Sequence, residues 1–482
     1  MPLLRGVQTA YSRRPALWCA FATAFLWWFA GAFSLAPLAW IALTPFFYVL
    51  FNPNLKRRFR FGWKTGFISF FLINWWILPT IIKGAPAIGA PIFVGIPLAF
   101  IAVGLISAIH AFQVGLVAWQ SERKPLLTPL WCALLWTGLD AMRTVSPLAH
   151  SWGALAFSQT RDLPLLQIAA VLGQHGLTFV CAFVAASLAM GLRTRSKIHF
   201  ISPIVLLGLL HGYGAIVLSA NPIRQNGARV LVVQTSVSSS VKSGNATGEM
   251  PFAQAFRLTK EATRTQKFDL VVWPETTADF QSPALDAGSQ TRRLSGLDWA
   301  QLRLYGPKGV PLLLGAQEFL RGPAGDARRN DAVLFESGTD PQGRAKERLV
   351  PFGERAPFVE ILPFLAIFSP PPDCIPGTNE NALNWKGGKI APIICFESCF
   401  PDPAKRLSRG AALLAIITND EWFVGTEAPR QHAQMGVLRA VENGTPVVQS
   451  ANGGESFVCD AQGRILAHIP FGESKAVTAR LP

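Results

Sequence analysis

The segment Ile390-Ala-Pro-Ile-Ile-Cys395-Phe-Glu-Ser-Cys-Phe400, followed at once by Pro401, sets the fold of the second half of the chain. An apolar, largely β-branched run reaches Cys395, and a proline-led, helix-like segment begins just after it. This pattern is typical of a buried strand that breaks sharply into a turn. A nucleophile at such a turn is open to substrate while its backbone is fixed, as in strand–turn–helix elbows. Cys395 is therefore a candidate nucleophile, although cysteine is also a common small core residue.

Short apolar strands continue on both sides of this segment. The sequence predicts strands at 229–234, 269–273, 311–316, 331–336, 389–395, 412–418, 446–451, 456–460, 465–469 and 476–479. It predicts helices at 252–265, 297–305, 403–408 and 428–442. Strands that mostly alternate with helices indicate an α/β domain. Residues 221–227 form the predicted linker before this domain, and 236–249, rich in Ser, Gly and Asn, form a predicted mobile loop.

The first 220 residues are apolar over much longer distances. Apolar stretches lie at 15–33, 35–51, 66–82, 91–119, 126–142, 163–192 and 198–220. Most of them approach the ~20 residues that a helix needs to cross the hydrocarbon core of a bilayer. In a chain of 482 residues with 50% hydrophobic and only 15% charged residues, these stretches predict seven membrane spans followed by a separate domain.

Basic residues lie mainly on one side of these predicted spans. Residues 1–220 hold 16 Lys and Arg but 3 Asp and Glu, so most of the net charge of +15 falls in the apolar half. Phosphate-binding patches make little sense there, which excludes a nucleic-acid partner. Only Lys83, Arg143 and Arg161 fall on the opposite side. By the positive-inside rule the N-terminus is cytoplasmic, and residues 221–482 lie outside. Seven core helices of a soluble protein would not produce this alternation.

Two smaller features need interpretation. The polar-aromatic segment 151–159 is either an interfacial segment on the outer face, with Trp152 at headgroup level, or an ordinary loop.

In the second half, a disulfide between Cys374 and Cys459 is left open, because pairing cannot be read from sequence. Cys395 and Cys399 are spaced like half a zinc site, but no second pair or His cluster completes it. We therefore expect no metal and no cofactor.

A thiol nucleophile needs a base, because the thiolate is its reactive form. Histidine is the usual partner, but the second half contains only His432 and His468, in no recognisable Cys–His arrangement. Carboxylates do occur beside strands. Glu275 ends the string Val-Val-Trp-Pro-Glu after an apolar strand, and Lys346 precedes a Pro-Phe-Gly turn that carries Glu354. Each of these charges alone is typical of a solvated loop.

Three strings in this order resemble the nitrilase, or carbon–nitrogen hydrolase, superfamily. They are Trp273-Pro-Glu275, Lys346 ahead of Leu349-Val-Pro-Phe-Gly-Glu354, and Ile394-Cys395-Phe-Glu397. Joined to membrane spans, they look like the apolipoprotein N-acyltransferase family. Further agreement comes from Thr418-Asn-Asp-Glu-Trp-Phe423, Gln431-His432, Arg439-Ala-Val-Glu-Asn-Gly444 and Ala451-Asn-Gly453. The resemblance implies a polytopic all-α membrane domain at 1–220 and an extracytoplasmic, nitrilase-like α/β domain of αββα sandwich type at 221–482.

The resemblance also implies an acyltransferase of the bacterial cytoplasmic (inner) membrane. Cys395 would accept an acyl chain from a phospholipid, with phosphatidylethanolamine as the expected donor, and form a thioester. The acyl chain would then pass to the α-amine of the N-terminal diacylglyceryl-cysteine of an apolipoprotein. Glu275 would be the general base, and Lys346 would stabilise the oxyanion of each tetrahedral intermediate. Supporting positions would be Glu354, Glu397 and Phe396. Candidates for substrate contact are Trp422, Asn419 and Trp152.

The chain departs from the family pattern at several positions. Phe396 stands where many relatives have Tyr, Ser243 where Trp is usual, and Glu455 where the residue is usually apolar. Relatives usually end with one more membrane helix, whereas this chain stops at Pro482, so we expect its C-terminus to stay outside. Two alternatives remain open. One is a membrane-tethered amidase or nitrilase-type hydrolase with water as the acceptor; the other is a catalytically silent protein that binds lipid or lipoprotein.

Overall fold

The computed structural model describes residues 3–88, 91–121, 128–145, 149–242, 246–283, 294–307, 309–321, 326–370, 372, 374–378 and 381–482. Ser243, one of the departures from the family pattern, lies outside the described residues, as does part of the predicted mobile loop. The chain divides into two units, Met1–Ala220 and Asn221–Pro482.

The first unit consists of helices. They are α1 (Leu3–Phe33), α2 (Ala36–Ala42), α3 (Thr44–Leu50), α4 (Arg58–Ile73), α5 (Ile77–Gly84), α6 (Ile92–Trp119), α7 (Thr128–Met142), α8 (Leu163–Leu166), α9 (Ala169–Thr194) and α10 (Ile198–Ala220). Every apolar stretch predicted from the sequence overlaps at least one of these helices. Within the described residues, four helices are long and apolar enough to cross a membrane: Pro15–Phe33 of α1, α6, α9 and α10. The pair α4 and α5, bent by 54°, adds a fifth if it is one span.

The helix lengths thus support four or five spans rather than the seven predicted. The stretch 35–51 is divided at Leu43 between α2 and α3, each of 7 residues and each with a proline in its first turn. Helix α7 has 15 residues, which is about 22 Å and shorter than the ~30 Å hydrocarbon core. Large apolar side chains on α6 and α10, such as Phe93, Leu105 and Ile204, are exposed. The unit is therefore a multi-pass membrane unit.

Helices α4 and α6 approach closely where α4 carries glycine. A Cβ atom at Gly66 would lie 2.9 Å from Cα of Ala111 and from Cβ of Val114. A Cβ atom at Gly62 would lie 2.5 Å from Cβ of Ala118. Small residues allow two helix backbones to pack at short range in a membrane, where dispersion contacts replace the hydrophobic effect. Glycine is therefore required at these positions by packing.

The segment around Trp152 is buried inside the first unit. The Trp152 side chain is 2% exposed, contrary to the interpretation that it lies on an outer surface. Arg143 donates to the carbonyl oxygens of Ser151 (3.1 Å) and Trp152 (2.9 Å). Trp27 Nε1 donates to the carbonyl oxygen of Gly153 at 2.7 Å. Non-helical backbone needs such donors when water is absent, and this explains why the segment is held by buried side chains.

The second unit contains both strands and helices. Its strands are β1 (Arg229–Gln234), β2 (Leu270–Val272), β3 (Ala278–Pro283), β4 (Leu312–Arg321), β5 (Ala327–Phe335), β6 (Gln342–Ala345), β7 (Leu383–Trp385), β8 (Gly388–Ile394), β9 (Leu413–Asn419), β10 (Val447–Asn452), β11 (Ser456–Cys459), β12 (Ile465–Ile469) and β13 (Lys475–Arg480). Its helices are α11 (Ser239–Lys242), α12 (Pro251–Thr263), α13 (Leu297–Tyr305), α14 (Pro401–Leu407) and α15 (Ala428–Asn443).

These strands form two sheets that pack face to face. One sheet has the order β13-β1-β2-β4-β5-β6, with β3 also paired to β4, and the other has the order β12-β11-β10-β9-β8-β7. Val232 and Leu313 of the first sheet share a core with Ile394 and Ile417 of the second. Helices α12 and α13 cover the outer face of the first sheet, and α14 and α15 pack against β8 and β10 of the second. The expected nitrilase-like α/β sandwich is confirmed.

The sequence missed three strands and misplaced several strand ends, most of all the end of β4, predicted at 316 and found at Arg321, and the start of β5, predicted at 331 and found at Ala327. Strands β3, β6 and β7 lack a long apolar run, so hydrophobic pattern alone does not reveal them. Strand β8 ends at Ile394, so Cys395 lies just beyond the strand rather than in it. None of the seven cysteines, all of which lie in the described residues, forms a disulfide, so the pairing left open between Cys374 and Cys459 is absent.

The packing of α4 on α6 predicts a large cost for a side chain at Gly66. We expect Gly66→Val to destabilise the protein by about 1–3 kcal/mol, because overpacking moves backbone atoms. Gly104 is a matched control on α6, since a Cβ atom there meets nothing within 4 Å. Thermal unfolding in detergent should show a lower Tm for Gly66→Val and little change for Gly104→Val. Equal shifts in the two variants would contradict the assigned contact.

Candidate active site

Cys395 occupies a strained turn at the end of β8. Its φ angle is +49°, in the left-handed region that residues with a Cβ atom rarely adopt. The 3-10 turn Cys395–Cys399 follows, and α14 begins at Pro401. Strain of this kind, of order 1–3 kcal/mol, occurs mainly at functional sites. The Cys395 residue is 6% exposed, so the thiol is sheltered from bulk water.

Glu275 is placed by a close passage of two backbones. After β2, the carbonyl oxygen of Pro274 accepts from the N–H of Gly315 in β4 at 3.0 Å. A Cβ atom at Gly315 would lie 2.3 Å from Cα of Glu275, so only glycine lets the chain pass. Glu275 Oε1 then accepts from Asn330 Nδ2 (2.6 Å) and Lys346 Nζ (3.1 Å). Its Oε2 accepts from the backbone N–H of Asn419 at 2.8 Å. These donors hold both carboxylate oxygens in place.

Lys346 follows β6 and is 1% exposed. Its ammonium group lies 3.0 Å from the Glu354 carboxylate and 3.1 Å from that of Glu275. Glu354 is fixed in turn by the N–H of Val350 (2.7 Å) and by Asn330 Nδ2 (2.8 Å). Burial alone would lower the pKa of Lys346, but the two carboxylates outweigh it and raise the pKa well above its ordinary value. The lysine is therefore a permanent positive charge.

The charges of Glu275 and Lys346 reach the thiol of Cys395. Burial raises the pKa of Cys395, the negative charge of Glu275 raises it further, and the positive charge of Lys346 opposes both. The result is a thiol pKa well above its ordinary value. The thiol is thus protonated at rest, and a nearby carboxylate has to remove the proton before attack.

Glu397 connects the turn Cys395–Cys399, called the elbow below, to the neighbouring sheet. Its two oxygens accept a bidentate pair of hydrogen bonds from Arg344 of β6, at 2.6 and 2.9 Å. They also accept from the N–H groups of Ile394 (2.9 Å) and Glu347 (2.8 Å). Burial would raise the pKa of Glu397, but Arg344 outweighs it and lowers the pKa. Glu397 therefore acts as a charged anchor for the backbone on both sides of Cys395.

The remaining predicted site residues are Phe396, Asn419, Trp422 and Trp152. Phe396 is half-buried and packs edge-on against Phe400, with ring centroids 5.0 Å apart. Asn419 Oδ1 accepts from Asn452 Nδ2 at 2.8 Å, and its backbone N–H donates to Glu275, so this residue supports the base. Trp422 is 38% exposed and remains a candidate for substrate contact. Trp152 belongs to the membrane unit, where it is buried.

Four further residues lie at the site that were not among the predicted site residues. Asn330 bridges Glu275 and Glu354, and Arg344 holds Glu397. Lys242 Nζ donates to Thr276 Oγ1 at 3.1 Å, and burial lowers its pKa to about 8 against the pull of Glu275. His432 lies behind the elbow, with Nε2 3.1 Å from the carbonyl oxygen of Cys395. Asn330 could have been noticed as a polar residue directly before a predicted strand, and His432 stands in the string Gln431-His432 that agrees with the family pattern. Arg344 and Lys242 carried no local signal.

Comparison with known proteins assigns both units. Residues 16–187 match the family model for the apolipoprotein N-acyltransferase N-terminal domain, and residues 229–482 match that for carbon–nitrogen hydrolases. The apolipoprotein N-acyltransferase of Geobacter metallireducens is 31% identical over 447 residues, which cover 91% of this chain and 83% of that protein. The chain belongs to the apolipoprotein N-acyltransferase family.

Other members of the apolipoprotein N-acyltransferase family show the same extent of similarity. The protein from Brucella melitensis is 30% identical over 443 residues, which cover 88% of this chain and 79% of the relative. Among solved structures, a carbon–nitrogen hydrolase from Helicobacter pylori G27 is 18% identical and covers 53% of this chain and 89% of its own, with a TM-score of 0.37. That score is too low to bear on the family assignment.

Breaking the Arg344–Glu397 pair should destabilise the fold. We expect Arg344→Met to cost about 3–5 kcal/mol at neutral pH, because it leaves a buried carboxylate without its counter-charge. The folded-state pKa of Glu397 is lowered, so its contribution is present above the ordinary carboxyl pKa of 4.5 and is lost as the pH falls. The Tm difference between wild type and Arg344→Met should therefore narrow in acid.

The control for this prediction is Arg257→Met. Arg257 is half-exposed and pairs with Glu249 and Glu261 on the surface, so its loss should leave the Tm nearly unchanged. A Tm difference for Arg344→Met that is small at neutral pH, or that widens in acid, would contradict the assigned role of the pair.

Proposed function

We propose that this protein transfers a fatty acyl chain from a phospholipid to the N-terminal α-amine of diacylglyceryl-cysteine on apolipoproteins, through a thioester on Cys395. The observation that carries this proposal is the buried Glu275–Lys346 ion pair, whose charges act on the thiol of Cys395, a residue with a strained backbone. Family membership supports the acyltransferase activity and its place in lipoprotein maturation. The residue roles and the identity of the donor are part of the proposal.

In the first step the sulfur of Cys395 attacks the ester carbonyl carbon of the phospholipid. Glu275 takes the thiol proton as the S–C bond forms, because the thiol has a raised pKa and does not ionise by itself. The tetrahedral intermediate collapses with cleavage of the C–O ester bond. Glu275 returns the proton to the departing alkoxide, which leaves as a lysophospholipid, and Cys395 carries the acyl chain as a thioester.

In the second step the α-amine of the acceptor attacks the thioester carbonyl carbon. Glu275 accepts a proton from the attacking nitrogen, the C–S bond breaks, and the proton returns to the sulfur of Cys395. The products are an N-acylated lipoprotein and the free thiol. Since a thioester also reacts with water, the low exposure of Cys395 favours transfer to the amine over hydrolysis.

Lys346 stabilises the negative charge that develops on the carbonyl oxygen in both steps. Its ammonium group is held by Glu275 and Glu354, so it needs no rearrangement when the oxyanion forms. Loss of one donor of this kind typically costs about 3–4 kcal/mol in the barrier. Glu354 keeps the lysine in place, while Glu397 keeps the elbow in place through Arg344.

The two substrates are both anchored in a membrane, which explains why the catalytic unit is joined to membrane helices. We place the catalytic unit on the extracytoplasmic side of the bacterial inner membrane, on the basis of the positive-inside distribution of the first 220 residues. This placement requires an odd number of spans, and five spans, with α4 and α5 counted as one, satisfy it. Phosphatidylethanolamine is the proposed donor.

The proposal can be tested by following a labelled acyl chain. Detergent-solubilised protein is mixed with phosphatidylethanolamine that carries a radiolabelled fatty acid, without an acceptor. We expect hydroxylamine-sensitive label on wild-type protein and on Cys19→Ser, whose thiol belongs to the membrane unit, but none on Cys395→Ser. The label should then move to a diacylated peptide with a free α-amine and not to the same peptide with an acetylated α-amine.

Each other outcome points to a different function. Release of the label as free fatty acid despite an available amine would indicate a hydrolase. Absence of label on wild-type protein would indicate a catalytically silent lipid-binding protein. Retention of label by Cys395→Ser would disprove Cys395 as the nucleophile.

A further inference from the structure

We propose that His432 and Asp420 are positioning residues that fix the nucleophile and the base of this site relative to each other, through a hydrogen-bonded chain from Asp420 to the carbonyl oxygen of Cys395. The proposal rests on the assignment of Cys395 and Glu275 above. It does not make His432 the base of a Cys–His pair, because the ring faces the backbone of the elbow with both nitrogens occupied.

His432 lies on α15, is 1% exposed, and contacts the elbow at several points. Its Nε2 lies 2.8 Å from Ser398 Oγ and 3.1 Å from the carbonyl oxygen of Cys395. Ser398 Oγ also donates to that carbonyl oxygen, at 2.9 Å. The ring hydrogen-bonds to the side chain of Cys399 as well. A single imidazole thus holds the turn that carries the nucleophile in its strained conformation.

Asp420 connects this histidine to the base. Its Oδ1 accepts from His432 Nδ1 at 2.8 Å and from Thr418 Oγ1 at 2.7 Å. The preceding residue, Asn419, donates its backbone N–H to Glu275 Oε2 at 2.8 Å. Two consecutive residues at the end of β9 therefore hold the base on one side and, through His432, the nucleophile on the other.

The pair carries charge. Burial would lower the pKa of His432, but Asp420 outweighs it and raises the pKa well above its ordinary value. The ring is therefore an imidazolium with two N–H donors, which matches the acceptors around it. The groups that act on the charge of the ring are Asp420 and the thiol of Cys399. Those that act on the thiol of Cys395 are Glu275, Lys346 and Asp420.

The imidazolium also compensates the charge of Asp420 near the nucleophile. Cys395 Sγ, a carboxylate oxygen of Asp420 and a ring nitrogen of His432 lie within 4.8 Å of one another. The charge of Asp420 raises the pKa of the Cys395 thiol. If His432 lost its charge, Asp420 would act on the thiol without compensation, and thiolate formation would need a higher pH.

The test measures how fast iodoacetamide alkylates Cys395 in full-length protein at a series of pH values, with the Cys395 peptide quantified by mass spectrometry. The alkylation midpoint is the pH at which the rate reaches half its maximum. We expect His432→Gln to raise this midpoint by about one to two pH units, which is the effect on a pKa of a unit charge ~5 Å away in a partly screened interior. The double variant His432→Gln/Asp420→Asn should return the midpoint to near the wild-type value. His468→Gln, at an exposed pair with Glu455, is the control and should change nothing.

Ser398→Ala separates geometry from charge. It removes one donor to the Cys395 carbonyl and leaves the ion pair intact, so it should lower kcat for acyl transfer about 10-fold or more, with KM and the alkylation midpoint unchanged. This variant also keeps the proposal testable if His432→Gln fails to fold. An unchanged midpoint in His432→Gln, a double variant with the same midpoint as His432→Gln, or full activity in Ser398→Ala would each overturn the proposal.

Alkylation needs no lipid substrate, so failure of this inference can be distinguished from failure of the proposed function. If wild-type protein takes no acyl label but the alkylation midpoints shift as expected, the charge pair still controls the thiol and only the reaction has been misassigned. If acyl transfer is normal and the midpoints do not move, the function stands and His432 is an ordinary buried residue.

Discussion

The catalytic unit depends on the ion pairs that the buried ammonium group of Lys346 forms with two carboxylates. An isolated charge in a protein interior is strongly unfavourable, and here Glu275 and Glu354 compensate it at 3.1 and 3.0 Å. One lysine and two carboxylates leave a net negative charge, which Asn330 and backbone N–H groups stabilise by hydrogen bonds. The same arrangement supplies a fixed cation for an oxyanion and a carboxylate for a proton. Structural and chemical requirements are therefore met by the same contacts.

The nucleophile is held from two directions. On one side the Arg344–Glu397 pair binds the backbone on either side of Cys395 to β6 and the residues after it. On the other side His432 binds the carbonyl oxygen of Cys395. A cysteine with φ of +49° needs such support, since the surrounding structure has to offset the strain. The residues that provide this support are buried and charged. They keep their geometry because any movement would leave a buried charge without its partner.

The sequence predicted those parts of the fold that a local pattern encodes. The apolar run before Cys395 and the buried strand 412–418 were evident, as were the three strings that carry Glu275, Lys346 and Cys395. Contacts between distant segments were not. No sequence spacing links His432 to Cys395, and nothing near Arg344 indicates its partner Glu397, 53 residues later. The residues around Trp152 fit an interfacial segment or an ordinary loop equally well, whereas donors from distant helices hold this segment inside the first unit.

The sequence pattern also failed to predict how long each helix of the first unit is. Hydropathy marked seven apolar stretches, but it did not show where helices break, as at Leu43 between α2 and α3. Pro45, in the first turn of α3, has no backbone N–H with which to continue the hydrogen bonds of α2.

The central claim is that Glu275 removes the proton of the Cys395 thiol so that an acyl-enzyme can form. The most direct measurement is the burst of lysophospholipid released in a single turnover without acceptor, compared between wild type and Glu275→Gln. Wild-type protein should release about one lysophospholipid per chain, and Glu275→Gln should release it at least ~10²-fold more slowly, in line with the usual contribution of general-base catalysis. A burst of equal rate and size in Glu275→Gln would contradict the account.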